Sequence, residues 1–284
     1  MKILVVDSNY LAHRARFTTG GLSYNGEPTG VIYGFLNQVF SLGKKIRPDE
    51  VAFIWDSRKS LRRKRYPFYK NRTRDEGPDE DMLEAFGQFA RLRREILPAI
   101  GFVNNFIQTG YEADDIIAKL VMEGPPEEYV TASSDADLFQ LLDHMTMLSV
   151  PAARNKPEKI WTRSSFMKQY RIEPTDWVRV KQIAGCTSDC IPGIYGVGDA
   201  TAVKYLRGNL KPDSKKYQAI AGGNAVIKRN EWLVKLPLPG TRLPVVKRSK
   251  FSSELLRMVA KRLGFKSLAK DRNRLDEWDA FYAK

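Results

Sequence analysis

Lys2-Ile3-Leu4-Val5-Val6-Asp7 is a short apolar run closed by an acid. An unbroken aliphatic stretch of this length, without polar alternation, is what a strand buried on both faces requires. The arrangement returns twice. Val51-Ala52-Phe53-Ile54-Trp55 runs into Asp56, and Tyr129-Val130-Thr131-Ala132-Ser133-Ser134 runs into Asp135, with Asp137 two residues on. Residues 102–107 and 145–150 carry two further strand patterns, and 159–162 a small extra one. Between them lie helical patterns over 30–42, over 81–97 (Met82, Phe86, Phe89, Ile96 and Leu97 on one face) and over 113–122 (Ile116, Ile117, Leu120, Val121). Strands alternating with helices predict an α/β fold, a mainly parallel central sheet with helices on both faces. After about residue 179 the pattern changes to short helices with Gly/Pro turns. The expected division is therefore an α/β domain over 1–178 and a helical region over 179–284. No internal repeat or low-complexity tract is present.

The 284 residues carry a net charge of +14. With a pI near 9.7, such a chain is either built for a polyanion, nucleic acid by default, or is a merely soluble basic enzyme. The basic residues are clustered. Residues 57–74 hold nine of them, no acid, and the aromatics Tyr66, Phe68 and Tyr69. That mixture offers both phosphate contacts and stacking surfaces for unpaired bases. Six acids follow in 75–84, and 241–274 holds eleven basic residues against Glu254 and Asp271. The apolar run at 3–6 is too short for a signal-peptide core or a membrane span, so no membrane partner is expected. Two cysteines, Cys186 and Cys190, make no disulfide framework, which fits a reducing cytoplasm. His13 and His144 lie in unrelated segments, so acid–base or hydrolytic chemistry falls to carboxylates, lysines or metals.

In open parallel sheets, sites form outside the carboxyl ends of the strands. Asp7, Asp56, Asp135 and Asp137 are all delivered there. Glu112, Asp114 and Asp115 open the helix after Gly110-Tyr111. Capping and dipole compensation account for one or two such acids, and three in four residues exceed them. Carboxylates so crowded need a counter-charge. With oxygen donors and no thiolate or imidazole set, Mg²⁺ or Mn²⁺ is favoured over Zn²⁺. An acidic metal pocket in a strongly basic chain suggests metal-assisted phosphodiester hydrolysis.

Residues 191–205 read IPGIYGVGDATAVKY. The glycines Gly193, Gly196 and Gly198 let backbone N–H groups approach an anion at a helix N-terminus. Their spacing is that of a helix–hairpin–helix element, here over about 185–207, which grips duplex backbone without reading sequence.

Taken in order, these segments resemble the 5′-nuclease (flap endonuclease) superfamily, which includes stand-alone phage 5′-exonucleases and the 5′-nuclease domain of bacterial DNA polymerase I. Asp7-Ser8-Asn9-Tyr10-Leu11-Ala12 is similar to the family's opening D-G-N-x-L-x. Gly26-Glu27-Pro28-Thr29 with Val31-Ile32-Tyr33-Gly34-Phe35 is similar to its G-x-P-T-x-x-V-Y-G-F. Phe53-Ile54-Trp55-Asp56 resembles the second strand with its acid, and Tyr69-Lys70-Asn71-Arg72 the Y-K-x-x-R signature at the base of a helical arch. Glu112-Ala113-Asp114-Asp115 is the family's E-A-D-D, and Ser134-Asp135-Ala136-Asp137-Leu138 with Gln140-Leu141 resembles T-D-x-D-L-x-Q-L.

The resemblance implies that Asp7, Asp56, Asp114, Asp115 and Asp135 hold one metal, with Glu112 nearby, and that Asp137 and Asp189 hold a second. It implies that Tyr69 stacks on a terminal base and that Lys70 and Arg72 contact the scissile phosphate, with Arg14 a weaker candidate. Residues 57–97 become the arch through which a free 5′ end threads. Arg62, Arg63, Lys204 and the three turn glycines become DNA contacts, and turn carbonyls a place for a monovalent cation such as K⁺. The implied cofactors are two Mg²⁺ ions, replaceable by Mn²⁺. The implied partner is a branched or 5′-ended DNA duplex, bound by a monomer in a bacterial or phage-infected cell. With no polymerase domain following, a stand-alone nuclease is expected.

One departure stands out. Where the family reads G-D-x-x-D-N before P-G, this chain reads Gly185-Cys186-Thr187-Ser188-Asp189-Cys190, so a second-metal carboxylate is a cysteine. A thiol is a poor ligand for a hard cation. Ala200 also stands where the turn usually has Lys, leaving Lys204 for the phosphate grip. The cysteine pair itself reads as two small packed residues rather than a zinc site. Two other functions compete with a flap nuclease: a 5′-exonuclease that removes RNA primers from RNA–DNA hybrids, and a catalytically weakened protein that holds junctions.

Overall fold

The structure is a computed structural model that describes residues 1–71, 79–152, 157–270, 276, 278 and 279. The apolar runs become a six-stranded sheet: β1 (Lys2–Asp7), β2 (Glu50–Ile54), β3 (Asn105–Phe106), β4 (Glu128–Ala132), β5 (Thr146–Val150) and β6 (Lys159–Trp161). Their order is β3-β2-β1-β4-β5-β6. Every pairing is parallel except β5 with β6, which is antiparallel. The order reverses at β1 and β4, and a crevice forms there outside the carboxyl ends of the strands.

Alternation along β1 explains why the run is uniformly apolar. Leu4 and Val6 join one core with α1 (Ser8–Thr19), α2 (Gly30–Ile46) and α4 (Glu80–Arg91). Ile3 and Val5 join the other, with α5 (Ala113–Glu123), α6 (Arg163–Tyr170) and α7 (Trp177–Ala184). Both faces are covered, so no position on the strand is free to be polar. The short α3 (Leu61–Arg65) lies between β2 and α4. The helix expected over 81–97 is α4 followed by a π-helical turn, Leu92–Ile96.

The strand expected over 102–107 shortens to β3. Before it, Asn104 O still accepts from Phe53 N of β2 at 2.8 Å, while the Asn104 side chain holds the returning chain: its Nδ2 donates to Lys247 O and its Oδ1 accepts from Lys247 N, both at 2.8 Å, and Lys250 N donates to Gly101 O at 2.9 Å. The returning C-terminal chain is thus tied to the segment that leads into the edge strand β3. Past it, α11 (Ser253–Arg262), Phe265, Leu268 and Trp278 pack into the same core as Leu4 and α2. The chain beyond residue 178 therefore does not form one separate region. In its first part α8 (Asp199–Leu206) and α10 (Asn224–Val234) stack on α7, with α9 (Lys215–Ala221) set against α8 through Tyr217 and Tyr205, and its last part closes the opposite face of the sheet. Among the described residues no helix is long and apolar enough to cross a membrane.

Candidate metal centre

Asp7 closes β1 and caps α1. Its carboxylate accepts from Tyr10 N at 3.0 Å and from Ser133 Oγ at 2.8 Å. Asp56 follows β2 and accepts from Ala113 N, at the start of α5, at 2.7 Å. Asp135 follows β4 and accepts from Asp137 N at 2.8 Å, capping the 3₁₀ turn Ala136–Leu141. Asp114 stands in the first turn of α5, and no hydrogen bond reaches its carboxylate among the described residues. These four face one cavity of about 810 Å³, whose walls also hold Asp137, Asp189, Cys186, Lys70, Lys181 and Arg63.

Helix N-termini favour negative charge, but they do not balance this many acids. Burial, then Asp56, pushes Asp7 up to about 7, against the hydrogen bonds from Tyr10 and Ser133. Burial, then Asp135, pushes Asp137 up to about 7. Asp114 is held well above the usual carboxylate range by burial, then by Asp135 and Asp7. Burial also raises Asp56. Oxygen donors crowded into one cleft, from the buried Asp7 to the solvent-accessible Asp56, that resist ionising because acids there outnumber the cations suit divalent metal. Asp7, Asp56, Asp114 and Asp135 fit the first. Asp137 and Asp189 fit the second, and Cys186 joins them: one ligand atom from each lies within 4.8 Å of the others.

Three expected roles change. Asp115 is fully buried at 0% exposure and does not reach the cavity. Its oxygens accept from Arg62 Nη1 at 2.6 Å and Nη2 at 2.7 Å, and from Leu238 N at 2.8 Å. Arg62, expected on DNA phosphate, is 2% exposed, and its Nε donates to Leu233 O at 2.9 Å. Each half of this pair satisfies the other, which removes Asp115 from metal ligation and Arg62 from the DNA surface. Tyr69, expected to stack on a base, is 3% exposed and packs with Ile191, Leu233 and Val234. Its hydroxyl donates to Glu112 Oε2 at 2.8 Å.

Glu112 lies behind the cavity wall and accepts as well from Lys70 Nζ at 2.8 Å and Ser60 Oγ at 3.2 Å. Burial opposes its charge, but Lys70 and Arg62 outweigh burial and hold it below the usual range. Burial likewise opposes charge on Lys70, yet Tyr69, Glu112 and Asp189 keep it well above the ordinary ammonium range. The Lys70 backbone takes the left-handed conformation at φ 50°. It is held there by Lys70 N donating to Asp189 O at 2.8 Å and by Arg63 Nη2 donating to Lys70 O at 2.7 Å. A non-glycine residue kept in this region needs such bracing. Arg63 is exposed at the cavity rim. Arg14 is tied to the carbonyls of Pro151 and Ala152. Arg72, and the part of the expected arch over 72–78, lie outside the described residues.

Between α7 and α8 the chain makes a small hairpin, Gly185–Cys186 against Ile191–Pro192. Gly193 is required there, since a Cβ would stand 2.1 Å from Ala184 O. Gly196 has φ +71°, and Gly198 precedes α8 with open space at its Cα. Lys204 is exposed on α8.

Sequence reasoning missed Lys181. It projects from the last turn of α7, where its Nζ donates to Asp199 Oδ2 at 3.0 Å and stands 4.0 Å from Asp137 Oδ1. The available signal was its place one helical turn before Gly185. His13 was set aside, yet it lines the cavity edge-on to Phe89, with burial pushing it below its ordinary range.

The sequence profile of the 5′-3′ exonuclease N-terminal, resolvase-like domain matches residues 2–171. Thermostable DNA polymerase I of Thermus thermophilus is 31% identical over 211 residues, 72% of this chain and 24% of the polymerase. DNA polymerase I of Mycobacterium tuberculosis is 30% identical over 233 residues, 78% of this chain and again 24% of the polymerase. The chain thus spans about a quarter of the length of these relatives. Among solved structures, the phage T5 D15 protein co-crystallised with metal ions superposes with a TM-score of 0.68 at 17% identity, covering 99% of this chain and 100% of that one. Human GEN1 in complex with Holliday junction DNA gives 0.61 at 15% identity, covering 99% of this chain and 72% of that one.

Proposed function

The chain belongs to the family of 5′-3′ exonuclease N-terminal, resolvase-like domains, and from that premise we propose that it is a structure-directed 5′-nuclease that hydrolyses phosphodiesters of 5′-flap or 5′-ended DNA. The observation that carries the reading is the convergence of Asp7, Asp56, Asp114, Asp135, Asp137 and Asp189 on one cavity beside Lys70, in a chain of net charge +14. Divalent cations, which these carboxylates would hold, would supply charge neutralisation, an activated water and stabilisation of the charge developing on the phosphoryl oxygens.

The rest falls to the chain's own groups. Lys70 presents a cation at the cavity wall, aimed by Glu112 and by the backbone braces from Asp189 and Arg63. Such a fixed charge needs no reorganisation when the phosphate becomes more negative. Arg63 at the rim and the 57–71 basic stretch attract the polyanion. Gly193, Gly196 and Gly198 with Lys204 form the helix–hairpin–helix grip on duplex backbone, with turn carbonyls for K⁺. The products are a 5′-phosphate and a 3′-hydroxyl.

The test is cleavage of an end-labelled 5′-flap duplex with Mg²⁺, Mn²⁺ or EDTA, beside a matched RNA–DNA hybrid. Metal-dependent release of the flap supports the reading. Preferential cleavage of the hybrid moves the substrate to RNA primers. Junction binding without cleavage in either metal defeats the catalytic reading, and the substitution at Cys186 makes that outcome a specific rival.

A further inference from the structure

The second half of the acidic cavity contains sulfur. Cys186 is fixed by its pairing with Ile191, and Asp189 by the bond from Lys70 N to its carbonyl, so the turn that carries both is anchored on two sides. Asp137 enters from the 3₁₀ turn after β4. Ligand atoms of the three residues lie within 4.8 Å of one another, close enough for small side-chain rotations to close them on one ion with bonds of about 2.0–2.3 Å. Ser188 Oγ lies 3.0 Å from Cys186 Sγ and can follow it. The resident counter-charge is already able to leave, because Lys181 makes its closer contact, at 3.0 Å, with Asp199 rather than with Asp137.

Building on the nuclease reading above, we propose that the second cation position of this chain is a mixed carboxylate–thiolate site, formed by Asp137, Asp189 and Cys186, that selects a thiophilic divalent ion over Mg²⁺. Mg²⁺ demands six oxygens in near-octahedral array and sheds water reluctantly. Two carboxylates and one sulfur, with water completing the set, suit Zn²⁺, Co²⁺ or Cd²⁺. On binding, the Cys186 S–H bond breaks, a sulfur–metal bond forms, and the proton passes to solvent. The first position, built only from carboxylates, keeps its preference for Mg²⁺ or Mn²⁺. The two positions of one cavity therefore load with different metals.

The experiment is a Co²⁺ titration of the full chain in excess Mg²⁺, followed by sulfur-to-cobalt charge-transfer absorption, which requires a Co–S bond. The expected result is a band saturating at one Co²⁺ per chain and resisting Mg²⁺. It disappears in Cys186→Ser and in Cys186→Asp and persists in Cys190→Ser, and Co²⁺ affinity falls at least about tenfold in Cys186→Ser. Absence of the band in the wild type, or its survival in Cys186→Ser, overturns the proposal. If Cys186→Ser does not fold, Cys190→Ser decides, because the chain has two cysteines and a band that survives there comes from Cys186. A wild type that cleaves flap DNA in Mg²⁺ but shows no band refutes the sulfur ligand and leaves the nuclease reading standing. A chain that neither binds a divalent cation nor cleaves refutes both.

Discussion

Asp7 and Asp56 leave the sheet from adjacent parallel strands, whereas Cys186 and Asp189 sit in a two-residue hairpin and the 3₁₀ turn inside it. On the sheet side each carboxylate also serves the backbone. Asp7 caps α1, Asp56 receives the first amide of α5, and Asp135 caps the turn that carries Asp137. Truncating any of them to Ala costs a cap as well as a ligand, about 1 kcal/mol each before chemistry is counted, whereas Asn keeps the cap and removes only the charge. Cys186 has only a local duty: its sulfur meets Ser188 Oγ and the Asp189 backbone N–H inside its own turn, caps no α-helix, and its backbone is paired whatever side chain it carries. The lesson is that a ligand with a second structural role is hard to exchange, while one borne on a turn can change chemistry and leave the fold intact. The one departure from the family pattern among the expected metal ligands falls on the turn side.

The largest effect on cleavage should come from the sheet side. Asp7→Asn or Asp135→Asn should lower single-turnover cleavage by at least about 10²–10³-fold, the loss expected when one preorganised electrostatic group is removed. Substrate affinity should hold or rise, because a charge repelling the phosphate is gone. Comparable cleavage by either variant at saturating Mg²⁺ would break the comparison at its stronger end.

Arg62→Ala leaves Asp115 buried and unpaired, and should destabilise the fold by about 3–5 kcal/mol in urea denaturation. An effect confined to DNA affinity would return Arg62 to the surface role it was first given. Lys70→Ala should lower turnover by about 2.7–4 kcal/mol of transition-state stabilisation. If only affinity changes, with the single-turnover rate intact, Lys70 is a docking residue.

Acidity is common to the two halves. Asp7 and Asp137, both raised to about 7, bind protons in the folded state that an unfolded chain gives up near pH 4. Their contribution to the metal-free fold is fully present below pH 4 and is lost as pH rises through about 7. In EDTA, melting temperature should therefore fall between pH 5 and pH 8, and divalent cation should restore it. Asp7→Asn should flatten that dependence, and an unchanged slope would argue that Asp7 ionises freely. The smallest effect is Cys186→Asp, which should shift the Mg²⁺ activation curve to lower concentration by about tenfold, or ~1.4 kcal/mol. Superimposable curves would mean that the turn side contributes nothing to Mg²⁺ binding.

Which of these residues could be found in advance follows from where they sit. The strand-end acids were legible because an apolar run must stop somewhere, and the parallel sheet puts all its carboxyl ends on one edge. Asp114 was legible beside them, but nothing local separated it from Asp115. A helix turns by 100° per residue, so neighbours face different surroundings. One met the cavity and the other met Arg62, 53 residues away in the chain. Tyr69 looked like a stacking platform because basic residues flank it. Its burial came from Leu233 and Val234, far along the chain, which no local pattern announces.

By itself the sequence determined the strands, the edge at which acids gather, the sign of the protein's field and the substitution at Cys186. Apolar runs, turn glycines and formal charges act through local conformation and long-range electrostatics, and neither needs a partner to be specified. Only the tertiary structure decided which charges are spent holding the molecule together and which are left for chemistry. Arg62 and Asp115 neutralise each other because a buried charge must find its opposite within a few ångströms. Lys181 comes within 4.0 Å of Asp137 because α7 packs against the 3₁₀ turn that carries it. The C-terminal helix closes the core around Leu4 because the face it covers would otherwise meet water. Each of these pairings is chosen by packing and desolvation between segments distant in the chain, and those exist only once the chain has folded.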